Sequence, residues 1–559
     1  MIDQDRRRLV RLLSLAGSSF ALSPFLPGWA ASAATRQPVL SGPDLALTID
    51  HVTMTVDGRK SHAIGINGSA PGPLIRLRQG QRARIAVTNN LHEDSSIHWH
   101  GLLLPFQMDG VPGISFPGIR PGETFVYEFP LLQSGTYWYH SHSGLQEQMG
   151  HYGPIIIDPA DAGPIADGRE HVILLSDHSS LHPHEIFRRL KLDPGGFNQQ
   201  KQTIAELLAG RDQPLKDRLA WGRMRMEPTD VSDVTGTIYS YLVNGHGPAD
   251  NWIGLFTPGE RVRLRVINAS AMTNFNVRIP GLPLEIVAAD GLDIQPVTVD
   301  EFQIAVAETY DVIVQPGDAA YTIVGETIDR SGMARATLAP RPDMAAPIPP
   351  LRRRPIATMK EMGMDMGGMR MEGMDMDMDM EMRSAANAPQ VKLGPGVQTI
   401  SPMPADRTGE PPQGLEDAGH KVLVYRDLVA ARPNPDSRAP SRSMEIHLTG
   451  NMERYMWSFD GEKLSDVTAP IPFTTGERVR ITLVNDTMMN HPIHLHGHFF
   501  ELVTGHGDHA PRKHTVNVAP GGKLSLDLTA DAPGDWAFHC HMLYHMHAGM
   551  FEVVTVRAA

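Results

Sequence analysis

The ten residues Gly476-Glu477-Arg478-Val479-Arg480-Ile481-Thr482-Leu483-Val484-Asn485 have two counterparts in the same chain. These are Gly80-Gln81-Arg82-Ala83-Arg84-Ile85-Ala86-Val87-Thr88-Asn89 and Gly259-Glu260-Arg261-Val262-Arg263-Leu264-Arg265-Val266-Ile267-Asn268. Each opens on a turn glycine, then alternates charged or polar residues with aliphatic ones, the period of a half-buried strand. Repetition of this kind sets the architecture, and three copies predict three like domains in an all-β chain. The 52 glycines and 45 prolines fit many short strands joined by turns.

Counting outward from the repeats separates the domains by task. Nine residues after Asn89 stands His98-Trp99-His100-Gly101, and nine after Asn485 stands His494-Leu495-His496-Gly497. At the same distance from Asn268 the chain has Val277-Arg278-Ile279, with no metal ligand. A second pair behaves alike: Gly135-Thr136-Tyr137-Trp138-Tyr139-His140-Ser141-His142 answers Gly534-Asp535-Trp536-Ala537-Phe538-His539-Cys540-His541, while Tyr321-Thr322-Ile323-Val324 carries no ligand. The first and third domains are expected to hold metal and the second to space them.

The only cysteine, Cys540, has no partner for an internal disulfide, so its value lies in its thiolate. A thiolate with two imidazoles and a weak thioether makes the soft trigonal site of electron-transfer copper. Cys540, His545 and Met550 supply three of these, with one further histidine from elsewhere. Alternate side chains of a strand face opposite ways, so Cys540 turns one way and His539 and His541 the other. One peptide then touches two metal groups. The competing reading is a buried free cysteine beside structural histidines.

A net charge of -13 without a basic patch argues against nucleic acid as partner. Arg6-Arg7-Arg8 precedes an apolar stretch from about Leu12 to Trp29 and the small residues Ala31-Ser32-Ala33. This reads as a twin-arginine signal peptide over 1–33, directing a folded protein to the periplasm. No other stretch is apolar and long enough to span a bilayer. Thr203 to Gly210 and Leu215 to Met226 read as short helices in an insertion at about 181–233. His178, His182 and His184 at its edge are solvated loop histidines or a weak surface metal site. Prolines from Pro340 to Pro355 and from Pro389 to Pro412 flank a Met-rich stretch, and a linker of such composition predicts mobility.

Four motifs now align: His98-x-His100, His140-x-His142, His491-x-x-His494-x-His496, and His539-Cys540-His541 with His545 and Met550. The set is too rich in histidine for structural zinc and lacks the carboxylate of a non-haem iron triad. It resembles the ligand set of multicopper oxidases over all three domains, at every ligand position. The resemblance implies three cupredoxin-like Greek-key β-barrel or sandwich domains at 40–160, 161–340 and 416–559, with the linker at 341–415. It implies four copper ions. A type 1 ion falls to His491, Cys540, His545 and Met550, and a type 2 ion to His98 and His494. A type 3 pair falls to His100, His140 and His539 on one ion and His142, His496 and His541 on the other. Asp109, nine residues after His100, stands where relatives place a carboxylate serving the oxygen site; an Asp109-Gly110 turn explains it equally well. Some relatives carry a glutamate at Met546 or His547, leaving His547 as a substitute or a structural residue.

The reaction implied is one-electron oxidation of a reductant coupled to four-electron reduction of dioxygen to water. For the reductant, residues 359–382 hold eleven methionines among seven acidic and two basic residues. Met359, Met362, Met364, Met366, Met369, Met371, Met374, Met376, Met378, Met380 and Met382 are soft thioethers that favour Cu(I). The chain therefore resembles copper-resistance oxidases of bacteria, with Cu(I) as substrate and a periplasmic copper-donor protein as a possible partner. The rivals are a laccase-like oxidase of small phenols and a copper-sequestering protein without turnover. Met224 and Met226 are either core packing or a further thioether site.

Overall fold

The structure is a computed structural model, and it describes residues 38–161, 168–364 and 383–559. The leader expected at 1–33 and the methionines from Met366 to Met382 lie outside the described residues. Strands build six open sheets that pack as three sandwiches. Open edges favour the sandwich over the closed barrel, and the all-β, cupredoxin-like class holds.

The three repeats fall on strands Arg82–Asn89, Val262–Asn268 and Arg478–Asn485. Each pairs parallel with an earlier strand and antiparallel with a later one: Asp44–Val56 and Thr124–Pro130, Arg169–His178 and Thr309–Val314, Arg442–Asn451 and Gly522–Thr529. The closing asparagine explains the constant spacing to the histidines. Asn89, Asn268 and Asn485 are all fully buried. The Asn485 amide donates to Met489 O at 2.7 Å and Val518 O at 2.9 Å, and its Oδ1 accepts from Thr487 N. Asn89 and Asn268 make the same three kinds of bond in their own loops. Each asparagine thus fixes the loop that delivers the next strand. Asn485→Ala leaves two carbonyls and one N–H unpaired and is expected to cost about 2–4 kcal/mol, measured by denaturant unfolding. Asn268→Ala should cost as much, and because its loop accepts the Leu543 N–H at the start of the helix carrying His545, it is expected to perturb the cysteine group as well.

The apolar core of the second and third sandwiches is continuous, and Trp138 of the first enters it. Strand alternation accounts for this: Tyr137 and Tyr139 face the first sandwich's own core while Trp138 and His140 face out of it. Trp99 does likewise, packing on Tyr127, Phe129 and Tyr139 between two outward histidines.

Between the sandwiches, Thr203 caps the helix Ile204–Leu208 in a reciprocal box with Glu206, and Leu215–Met224 forms the second expected helix. A further helix, Pro183–Leu192, starts at His182. The expectation of a mobile linker fails for its described flanks. Arg352 bonds both Glu301 and Glu326, which are fully buried, and Ala388, Val391, Val397 and Ile400 form a small core of their own. Composition alone could not reveal those ion pairs. Among the described residues no helix is long and apolar enough to cross a membrane.

Candidate metal centre

Cys540 ends the strand Gly534–Cys540, opposite Ile493 of the strand His491–Leu495. Its Sγ lies 3.6 Å from His491 Nδ1 and 3.7 Å from His545 Nδ1, and the two Nδ1 atoms are 3.2 Å apart. His545 arrives on the short helix Leu543–Ala548, and the turn after it brings back Met550, whose carbonyl accepts the Cys540 N–H. All four residues are fully buried. Each imidazole has its far nitrogen engaged: His545 Nε2 with Asp233 Oδ2 at 2.6 Å, and His491 Nε2 with Thr487 Oγ1 at 2.8 Å. A proton on His545 Nε2, donated to the carboxylate, leaves the Nδ1 lone pair facing the sulfur. Burial pushes the Cys540 thiol up and, together with His545, holds His491 well below the usual imidazole range. A cation among these atoms would draw off the thiol proton and satisfy both lone pairs.

On the other side of these strands His494, His496, His539 and His541 meet His98, His100, His140 and His142, which come from the first domain's strands His98–His100 and Gly135–His140 and the turn after the latter. Ligand atoms of His98, His100 and His494, of His100, His140 and His541, and of His142, His496 and His539 approach within 4.8 Å of one another in each group. Register sets neighbouring groups side by side: His98 sits opposite His140, and His494 opposite His539. Burial first, and neighbouring imidazoles second, push His100, His142, His494, His496 and His541 well below their ordinary pKa. Neutral imidazoles are what a metal requires. The outer nitrogens are committed: His98 Nδ1 to Asp109 O at 2.7 Å, His494 Nδ1 to His514 O at 2.7 Å, and His539 Nδ1 to Cys540 O at 3.0 Å. The inward nitrogens of His98, His140, His142 and His494 have no hydrogen-bond partner among the described residues. His496 Nε2 and His539 Nε2 face each other at 3.1 Å with their Nδ1 atoms bonded to acceptors, so two lone pairs confront one another. A metal ion between them resolves that conflict, and the residues fit copper.

Sequence models described as multicopper oxidase match residues 48–162, 213–341 and 437–559. The chain belongs to the multicopper oxidase family. It is therefore a copper-dependent oxidoreductase with dioxygen as acceptor. It is 46% identical to Copper resistance protein A of Escherichia coli over 100% of both chains. It is 47% identical to a Copper resistance protein A homolog of Pseudomonas syringae pv. tomato over 95% of each. Among solved structures, the laccase of Botrytis aclada shares the fold, with TM-score 0.65 and 22% identity over 94% of this chain and 89% of that one.

Within this multicopper oxidase the histidines flanking Cys540 exchange the places expected for them. His541 joins His100 and His140, and His539 joins His142 and His496. The two rings do share a side, 5.3 Å apart. Strand alternation stops at Cys540, however, and His541 begins the turn into the helix, with its N–H on Pro492 O. His539 stays in register, stacked on Phe551.

Asp109 lies at a turn and against the histidine groups. It closes a short turn at Phe106–Met108, and its Oδ2 accepts from His496 Nδ1 at 2.8 Å. Gly110 must be glycine, because φ is 83° and a Cβ would lie 1.8 Å from Ile97 O. The positions where relatives carry a glutamate do not serve the histidines: Met546 packs on Val111, Ala537 and Phe551, and His547 is exposed with Nε2 on Gly144 O. A different carboxylate does. Glu147, buried, has Oε2 2.8 Å from His140 Nδ1, and burial together with Asp177 raises its pKa well above the usual range. The only sequence signal was its place five residues after His142.

The middle domain is more than a spacer, since it supplies Asp233 to His545 and to the Tyr455 hydroxyl. His178 is buried against Ser61, and His182 and His184 are exposed near the start of their helix. Met224 and Met226 pack with Trp221, Met362 and Met488, and Met359, Met364 and Met452 join the same cluster.

Proposed function

We propose that this enzyme holds four resident copper ions. The type 1 ion takes His491, Cys540, His545 and Met550; the type 2 ion takes His98 and His494. The type 3 pair takes His100, His140 and His541 on one ion and His142, His496 and His539 on the other. Bound copper supplies one-electron acceptance at the cysteine group and the electrons that convert dioxygen to water at the histidine groups. The observation that carries this reading is the tripeptide His539-Cys540-His541, which belongs to both groups at once. A charge entering at Sγ has a path of a few covalent bonds to two imidazoles. Asp109 holds His496, and Glu147 lies against His140, so carboxylates stand on two sides of the histidine groups to hold or move protons.

The substrate is Cu(I), and the role is copper resistance, in line with the names of the two bacterial relatives. Support comes from the methionine cluster. Met488 directly follows Thr487, whose hydroxyl bonds the type 1 ligand His491, and Met362 is buried beside it. Met359, Met362 and Met364 open the Met-rich stretch, so that stretch starts at the cluster. Thioethers select Cu(I) over Cu(II). The leader suits export to the periplasm by the twin-arginine route, where a copper-donor protein could meet the cluster.

The test compares donors. In Met362→Leu/Met488→Leu, KM for Cu(I) is expected to rise by about tenfold, the scale on which lost supporting groups weaken metal binding, and by more than KM for a small phenol. An equal change for both donors would favour the phenol oxidase. Copper binding without oxygen uptake in the parent would favour sequestration.

A further inference from the structure

A second group of histidines lies on the opposite, solvent side of the first sandwich. His51 and His62 sit on neighbouring strands, Asp44–Val56 and Arg59–Ile66, in diagonal register: His51 opposes Ile64 and His62 opposes Thr53. Diagonal neighbours project from one face. Their rings stand 4.7 Å apart, no wider than the 5.0 Å between His491 and His545 at the cysteine group. On the other side of His51, the loop after strand Arg82–Asn89 brings His92 to 6.4 Å, and Glu93 follows it. All three imidazoles are exposed. Two adjacent strands and the loop after the next one thus offer three imidazoles in a row.

The insertion carries a histidine pair of its own. His182 and His184 stand with rings 5.2 Å apart at the start of the helix Pro183–Leu192. One turn along that helix, Phe187 stacks on Tyr544, the residue before ligand His545.

We propose that His51 and His62, with His92 beside them, form a surface site for a divalent transition-metal ion, Cu(II) foremost. Imidazole suits Cu(II), Ni(II) and Zn(II), and the Irving–Williams order gives Cu(II) the highest affinity of these. The absence of thioether and thiolate turns the site away from Cu(I), so it is the chemical opposite of the methionine cluster. Its use as a resting place for the oxidised product rests on the cuprous reading above; its binding of Cu(II) does not.

The test is titration of the copper-loaded enzyme with Cu(II), followed by equilibrium dialysis and electron paramagnetic resonance. The expected result is one further Cu(II) whose signal shows nitrogen coordination, displaced by Zn(II) only in excess. In His51→Ala/His62→Ala its affinity falls by at least about tenfold, while the blue band and Cu(I) turnover stay at the parental level. Equal stoichiometry and affinity in parent and variant would overturn the site, and so would an added Cu(II) without nitrogen coordination. Failure of the cuprous reading looks different: no Cu(I) turnover in the parent, with the added Cu(II) still bound.

Discussion

Cys540→Ser is expected to yield a folded protein with no thiolate-to-copper absorption band and oxygen uptake at the background rate. The substitution is nearly isosteric, and its stability penalty is that of burying one hydroxyl, about 1–3 kcal/mol. The far nitrogens of His491 and His545 keep Thr487 and Asp233, so both rings stay in place. The histidine groups on the other side of the strand do not touch Sγ and should still load copper, visible as their own paramagnetic and optical features. What disappears is the soft ligand and the covalent start of the path to His539 and His541. Uptake at the parental rate in this variant would mean that electrons reach the oxygen site by another route.

Asp109→Asn should separate the two halves of the reaction. Its carbonyl, which accepts from His98 Nδ1, is unchanged, and its turn retains Gly110. Only the carboxylate on His496 Nδ1 becomes an amide. Outer partners of this kind tune ligand basicity and typically change metal affinity or activity by about 10–100-fold. The blue band and its anaerobic reduction by substrate should match the parent, while reoxidation by dioxygen slows by about that factor. Stopped-flow spectroscopy reads both steps. Parental reoxidation would leave Asp109 as a turn residue alone.

The architecture and the histidine and cysteine groups that the fold brings together were legible in the sequence because both depend on local pattern. Period-2 alternation after Gly80, Gly259 and Gly476 marks the strands, and the spacing from each closing asparagine locates the histidines. The reason for that spacing was not legible, since it lies in the side-chain bonds of Asn89, Asn268 and Asn485. The partners of His539 and His541 were exchanged because alternation was carried one residue past the end of the strand. Asp233 and Glu147 escaped notice for another reason. Asp233 meets His545 across 312 positions of sequence, and a lone Glu between two glutamines gives no periodic signal. Packing between domains also anchors Arg352 on Glu301 and Glu326, which composition had suggested would be a loose linker.

The proposed coupling of a one-electron donor to the four-electron reduction of dioxygen runs through one peptide, His539-Cys540-His541. Its most direct test is oxygen uptake by the copper-loaded enzyme with Cu(I) as the only reductant, measured together with the Cu(II) formed. The account predicts catalytic consumption of one dioxygen for every four Cu(I) oxidised, without accumulation of peroxide. Tight binding of Cu(I) with no oxygen uptake, or two Cu(I) oxidised per dioxygen with peroxide released, would contradict it.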